Sequence, residues 1–311
     1  MWTTLRQLTI ALSLSAAALA SIHAQSAEAP AQLLFRSSVD LVTIQASVRD
    51  SRGRVVRGLM PSDFEVRDNG ELRPIVELRS DQQSPVSLVI LVDMSGSMRV
   101  GPKIALMRQA FGSVLAQLRD GQDEAAVFTF DSSLHERHGF TSDLGRLANV
   151  LSDFEPFGST SLYDATAATA RRIAGHTGTH RAIVVLTDGI DTSSTLTAAQ
   201  VSGLAGAIDV PVFVVATVPA IDQHAMSVAA DRPRRAGAAD LRDLAEWTGG
   251  QLVFAATPLD AATVASAIVD GLRHQYVLAI EAASASEWHR LDVRVKSPSS
   301  TVRARSGYFG G

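Results

Sequence analysis

Asp93, Ser95 and Ser97 stand in LVILVDMSGSMRVG, residues 88–101, where an apolar run gives way to one carboxylate and two hydroxyls at alternate positions. In a tight turn alternate residues can point their oxygens to one side, and Gly96 lets the chain bend closely there. A carboxylate and two hydroxyls are hard oxygen donors, suited to Mg²⁺, Mn²⁺ or Ca²⁺ and unsuited to zinc or copper. Two further stretches offer the same chemistry. Thr160 lies in a Gly-Ser-rich loop at the start of a helical pattern in FEPFGSTSLYDATAATARRI, and Asp188 follows an apolar run and precedes Gly189 in RAIVVLTDGIDT. The competing reading of Asp93 and its serines is a cap on the helix that starts near Pro102. Asp164 reads as a helix-start carboxylate favoured by the positive end of the dipole, with a role in orienting the Thr160 loop left open. Asp191 reads as a cap or an exposed group in the Asp188 loop.

Loops of this kind need a sheet to hold them together. From Val86 to about Leu272 apolar strands alternate with helical segments, the strands being SLVILV, EAAVFTF, RAIVVLT, VPVFVVA and GQLVFAA. Continuous β-branched runs between helices predict a mainly parallel sheet buried on both faces, a doubly wound, Rossmann-like α/β fold. In such sheets ligands bind beyond the carboxyl ends of the strands where strand order reverses, which is where Asp93, Thr160 and Asp188 would meet. On either side the pattern switches to period two, broken by DSRG and DNG turns before and resuming in YVLAIEA, HRLDVRVK and TVRARSGYF after. The expected organisation is a β-rich segment over 33–84, the α/β domain over 85–272, and a β segment over 273–311. The last is expected to complete the first as a β-sandwich, which makes the α/β unit an insertion.

Composition narrows the function. Of 311 residues 46% are hydrophobic and 19% charged, as in a packed globular chain. A net charge of -4 gives no broad basic field for nucleic acid or anionic lipid, so no nucleic-acid partner is expected. Arg6, the apolar run from Leu8 to Leu19 and Ala24 in SIHAQ read as a signal peptide over 1–24, directing export to the periplasm, the cell surface or the medium. That run is short for a span, and none is expected in the mature chain. The absence of Cys excludes disulfides, thiolate metal sites and Cys nucleophiles. An enzyme is not expected: the position two after Asp93, where a phosphoryl-transfer enzyme usually carries its acid/base, is Ser95, and neither G-x-S-x-G nor G-x-x-x-x-G-K-[ST] occurs. His135 and His138, and His176 and His180, read as exposed residues lacking a third zinc ligand within reach, and Asp63, Asp68 and Asn69 as turn formers.

DMSGSM, Thr160 within GSTSLYDA, and LTDG resemble the three loops of a metal-ion-dependent adhesion site in a von Willebrand factor type A domain. The resemblance covers roughly residues 85–272, with the flanks similar to exported acidobacterial proteins related to that family. It implies that Asp93, Ser95, Ser97, Thr160 and Asp188 hold one divalent cation, Mg²⁺ first and Mn²⁺ or Ca²⁺ as alternatives, some carboxylates acting through water. Hydroxyls add no charge, so the ion keeps an open position for an Asp or Glu of a protein partner. The expected function is cation-dependent protein binding of the adhesion type. The alternative is a periplasmic assembly or scaffold subunit in which the metal is structural or holds a complex partner.

Overall fold

The computed structural model describes residues 41–80, 84–178, 180–207, 209–219, 240–283 and 287–309. The expected signal peptide and the stretch 33–40 lie outside these residues. No described helix is long and apolar enough to cross a membrane.

Six strands form the central sheet: β5 (Val86–Asp93), β6 (Glu124–Phe130), β7 (Leu134–Thr141), β8 (His180–Thr187), β9 (Val212–Ala216) and β10 (Leu252–Phe254). Their order is β10-β9-β8-β5-β6-β7, all parallel save β7, which returns antiparallel along β6. Every residue of β5 is buried, which is why its sequence shows no polar alternation. Leu88, Ile90 and Val92 face α1 (Lys103–Gln117) and α5 (Pro258–Arg273) through Met107, Phe111, Ile268 and Leu272. Val89 and Leu91 face α2 (Leu162–Ala174), α3 (Ala198–Ala207) and α4 (Leu241–Trp247) through Leu162, Ile173, Val201 and Leu244. Strand order reverses at β5, which has β6 on one side and β8 on the other, so the carboxyl ends of β5 and β8 border the crevice where ligands bind in this fold class.

Two antiparallel sheets flank this layer. The first runs β13-β1-β11-β4, from β1 (Leu41–Asp50), β4 (Ile75–Ser80), β11 (Tyr276–Glu281) and β13 (Ser300–Ala304); the second runs β14-β12-β2-β3, from β2 (Phe64–Asp68), β3 (Glu71–Arg73), β12 (Trp288–Val295) and β14 (Gly307–Phe309). Ile44, Ala46, Val48, Phe64, Val66, Tyr276, Leu278 and Leu291 fill the space between them as one core, so the sheets form a sandwich. Each sheet takes strands from both ends of the described chain, and the α/β layer leaves after β4 and returns at β11. TVRARSGYF splits into two strands in opposite sheets. The change of sheet falls at Arg305, which is buried, donates to Gly206 O and Thr43 O at 2.6 Å each, and lies 3.5 Å from Asp209. That guanidinium ties the sandwich to the α3 end of the α/β layer.

Two sequence expectations are corrected. His180 is not an exposed loop residue: it opens β8, is 2% exposed, and its Nδ1 lies 2.6 Å from Leu272 O. Its neighbour in the pattern, His176, is half-buried, stacked on Phe140 and paired with Glu124. Asp68 is not merely a turn former. It is buried, accepts from Tyr308 Oη at 2.9 Å and pairs with His289 Nδ1 at 2.8 Å, both partners coming from strands more than 200 residues away. The turn itself is carried by Asn69 and Gly70, both at positive φ.

Candidate metal centre

Asp93 ends β5, and the chain then crosses Met94 and Ser95 into a short 3-10 turn, Gly96–Arg99. The Asp93 Oδ1 atom accepts the Ser95 amide at 2.9 Å, which folds the loop back on its own carboxylate. Asp93 Oδ2 accepts the Thr187 hydroxyl at 2.6 Å, joining the ends of β5 and β8. Ser95 Oγ and Ser97 Oγ lie 3.1 Å apart, the spacing expected when alternate hydroxyls share a side. Neither serine caps a helix: α1 begins after Pro102 with no side-chain cap, and the 3-10 turn has none. The cap reading therefore does not account for these residues.

The Thr160 loop is stitched to this first loop by backbone bonds, Gly96 N to Gly158 O at 2.9 Å and Phe157 N to Met94 O at 2.7 Å. Gly158 takes φ of +84°, and a Cβ on Gly96 would meet its carbonyl at 3.1 Å, so both glycines serve the close approach of the two loops. Thr160 is buried, and among the described residues its hydroxyl has no hydrogen-bond partner. Its carbonyl accepts the amides of Thr192 and Ser193 at 2.9 and 3.0 Å, which fastens the second loop to the third.

The third loop carries Asp188, 1% exposed, directly after β8. Asp191 Oδ1 accepts Leu162 N at 2.8 Å and so caps α2 from another loop. Asp164, inside the first turn of α2, reaches the other way and accepts from Thr195 N, Leu196 N and the Thr195 hydroxyl at 2.8–3.0 Å. These amides and that hydroxyl hold the Asp164 carboxyl below the usual range against a desolvation that raises it. The two aspartates thus clasp the second and third loops in both directions; the sequence left such a role open for Asp164 and offered a cap for Asp191, though not that it would cap a helix from another loop.

Electrostatics give the rim its character. Burial pushes the Asp93 carboxyl up to about 6; hydrogen bonds from Ser95 and Thr187 act against that rise, and the Asp188 charge adds to it. A cation stabilises two buried carboxylates whose charges act on one another. Lys103, at the start of α1, supplies one: its Nζ lies 2.9 Å from Asp188 Oδ2 with the side chain only 14% exposed. Nothing in the sequence marked Lys103, because its partner lies 85 residues away. The donor set is two carboxylates and three hydroxyls, all hard oxygens, with an ammonium standing where positive charge belongs and one hydroxyl unpaired. That chemistry fits Mg²⁺, Mn²⁺ or Ca²⁺. Among the described residues no three His, Cys, Asp or Glu gather as a metal cluster, so any cation here depends on the hydroxyls.

A family model for the von Willebrand factor type A domain matches residues 88–190, a segment that includes all three loops. No curated protein matches the chain. Among solved structures, a von Willebrand factor type A protein from Catenulispora acidiphila is similar at TM-score 0.50 and 12% identity, covering 88% of this chain and 76% of that one. BatB from Bacteroides thetaiotaomicron is similar at TM-score 0.46 and 18% identity, over 60% of this chain and 98% of that one. Manganese-loaded TRAP protein from Plasmodium vivax is similar at TM-score 0.45 and 15% identity, over 80% of this chain and 100% of that one. The family match falls on the strands and loops that border the crevice at β5, and it is this segment, residues 88–190, that is similar to a von Willebrand factor type A domain.

Proposed function

We propose that the rim is a metal-ion-dependent adhesion site, and that the chain is an exported, non-enzymatic module binding a protein partner through one divalent cation. Asp93, Ser95, Ser97, Thr160 and Asp188 are the residues that would hold it. When bound, the cation supplies a positive centre to which a carboxylate oxygen of the partner can bind. The chain's own part is to fix the three loops by backbone bonds, with Lys103 keeping its charge at the rim after it yields Asp188 Oδ2 to the ion. With two carboxylates, one ammonium and one divalent ion, the rim keeps a net positive charge that an incoming Asp or Glu cancels.

One observation carries the protein-binding reading. Each of the three loops presents a large apolar side chain to solvent within a few residues of its oxygen donors: Val100, 63% exposed, Phe157, 76%, and Ile190, 45%. Exposed apolar side chains beside the oxygen donors on all three loops offer surface that a protein partner could cover. A site serving only to brace the fold needs no such exposed apolar groups.

The test is unfolding of the protein in Mg²⁺, Mn²⁺, Ca²⁺ and chelator, beside Asp93→Ala and Phe157→Asp. An ion at a hundredfold excess over its dissociation constant stabilises the native state by about 2.7 kcal/mol. Asp93→Ala is expected to lose that gain and Phe157→Asp to keep it while losing partner binding. Absence of any ion-dependent gain in the wild type would refute the proposal.

A further inference from the structure

A cavity lies at the seam between the sandwich and the α/β layer, lined by residues other than those of the three loops. Its volume is about 250 Å³. One wall comes from the face of the first antiparallel sheet that turns away from the sandwich core. Ile44, Ala46 and Val48 point into the core. The intervening positions point outward, and the register sets Arg303 of β13 opposite Ser47 and Arg49 opposite Thr301, so the two arginines sit diagonally on one face. Both line the cavity, and no carboxylate does.

The two guanidiniums differ in what holds them. Arg49 is anchored, donating from Nη1 to Gly53 O at 2.7 Å and from Nη2 to Ala267 O, on α5, at 2.6 Å. Arg303 is half-buried and has no hydrogen bond or ion pair among the described residues. Burial and the like charge of Arg49 hold its pKa below the ordinary arginine value, with Glu246 opposing. Two like charges facing one cavity with no carboxylate in its lining are a cost to the fold that a bound anion would relieve. Gln275, 5% exposed, also lines the cavity; its Oε1 is buried without a partner, so the side-chain amide is free to turn its NH2 toward an anion. The opposite wall is apolar, from Phe213 on β9 and from Val264 and Ile268 on α5.

We propose that this cavity binds a small organic anion, an apolar body bearing one carboxylate or phosphate group, with the charged end on Arg303 and Arg49 and the body against Phe213, Val264 and Ile268. The volume lies below the ~300–1,000 Å³ of pockets for drug-sized ligands, so the ligand is compact. Because the cavity is walled by both layers, its occupant bridges sandwich and α/β layer. The reading is independent of the cation site.

Calorimetric titration of the full chain with benzoate, phenyl phosphate, inorganic phosphate and neutral benzyl alcohol tests it, with chelator present throughout so that the cation site contributes nothing. Saturable binding of benzoate or phenyl phosphate is expected, the tighter of the two naming the anionic group, with benzyl alcohol and inorganic phosphate each at least tenfold weaker. Arg303→Met is expected to weaken the anion at least tenfold, a charge-assisted hydrogen bond being worth that much. Val264→Trp, which fills the apolar wall and leaves both arginines, provides a second variant and is expected to abolish binding. No saturable binding of either organic anion, binding unchanged in a folded variant, or equal binding of benzyl alcohol or inorganic phosphate would overturn the assignment.

Discussion

Replacing Lys103 with Met separates two effects that the rim geometry assigns opposite signs. In chelator the variant leaves the buried Asp188 carboxylate without the ammonium 2.9 Å away. Breaking a buried pair costs about 3–5 kcal/mol, and because the lysine retains 14% exposure at the rim the expected loss is at the lower end. In a divalent ion the same substitution removes the group that occupies Asp188 Oδ2. A hydrogen bond to a charged group is worth about 1.5–3 kcal/mol, which corresponds to roughly ten- to a hundredfold tighter ion binding. Lys103→Met is therefore less stable than the wild type in chelator and gains more from each increment of ion. Urea unfolding followed by tryptophan fluorescence, repeated over an ion titration, reads both quantities from the shift in midpoint. Equal stability in chelator together with the same ion dependence as the wild type would refute the argument that Lys103 holds the cation position.

Other perturbations follow from single contacts. Asp123 is buried at the base of the sheet; burial raises its carboxyl, but the Arg273 side chain and the amides of Val86 and Arg119 pull it down to about 2. A depressed folded-state value contributes stability above the ordinary carboxylate range that is lost as pH falls from about 4 towards 2. Unfolding of Asp123→Asn should show a deficit of about 2–3 kcal/mol at pH 7 that shrinks over that window. Asp191→Ala removes the acceptor for Leu162 N and should lower the unfolding free energy by about 1 kcal/mol while weakening ion binding through the Thr160 loop. Two glycines make a contrasting pair in the same denaturation assay. A Cβ at Gly250 would collide with the Val212 backbone and should cost about 1–3 kcal/mol, whereas Gly112→Ala, in open space on α1, should stabilise by about 0.5–1 kcal/mol.

The legible and illegible parts of this protein divide by the range of the interactions involved. The strands of the parallel sheet are readable because burial on both faces writes a continuous apolar run, Asp93 and Asp188 because each ends or directly follows such a run, and Thr160 because its Gly-Ser-rich loop precedes a helical pattern. The sandwich strands were readable from period two, although the split of TVRARSGYF between sheets was not, since the break at Arg305 depends on Gly206, Thr43 and Asp209. Partners distant in sequence leave no local trace. Lys103 looks like an ordinary helix-start lysine until α1 is laid beside β8. Asp68 looks like part of a DNG turn until β12 and β14 bring His289 and Tyr308 over it. His180 illustrates a third cause: Gly175 and Gly178 made the segment read as a loop, but pairing with Val86 draws the strand start back to His180 itself.

The central claim is that the three loops hold one divalent cation, and anomalous diffraction from crystals of the protein equilibrated with Mn²⁺ addresses it most directly. The account predicts a single strong peak bounded by Ser95, Ser97 and Thr160 with Asp93 and Asp188 beside it, and the Lys103 ammonium moved off Asp188 Oδ2. A rim without a peak at saturating Mn²⁺, with Lys103 still on Asp188, would contradict it.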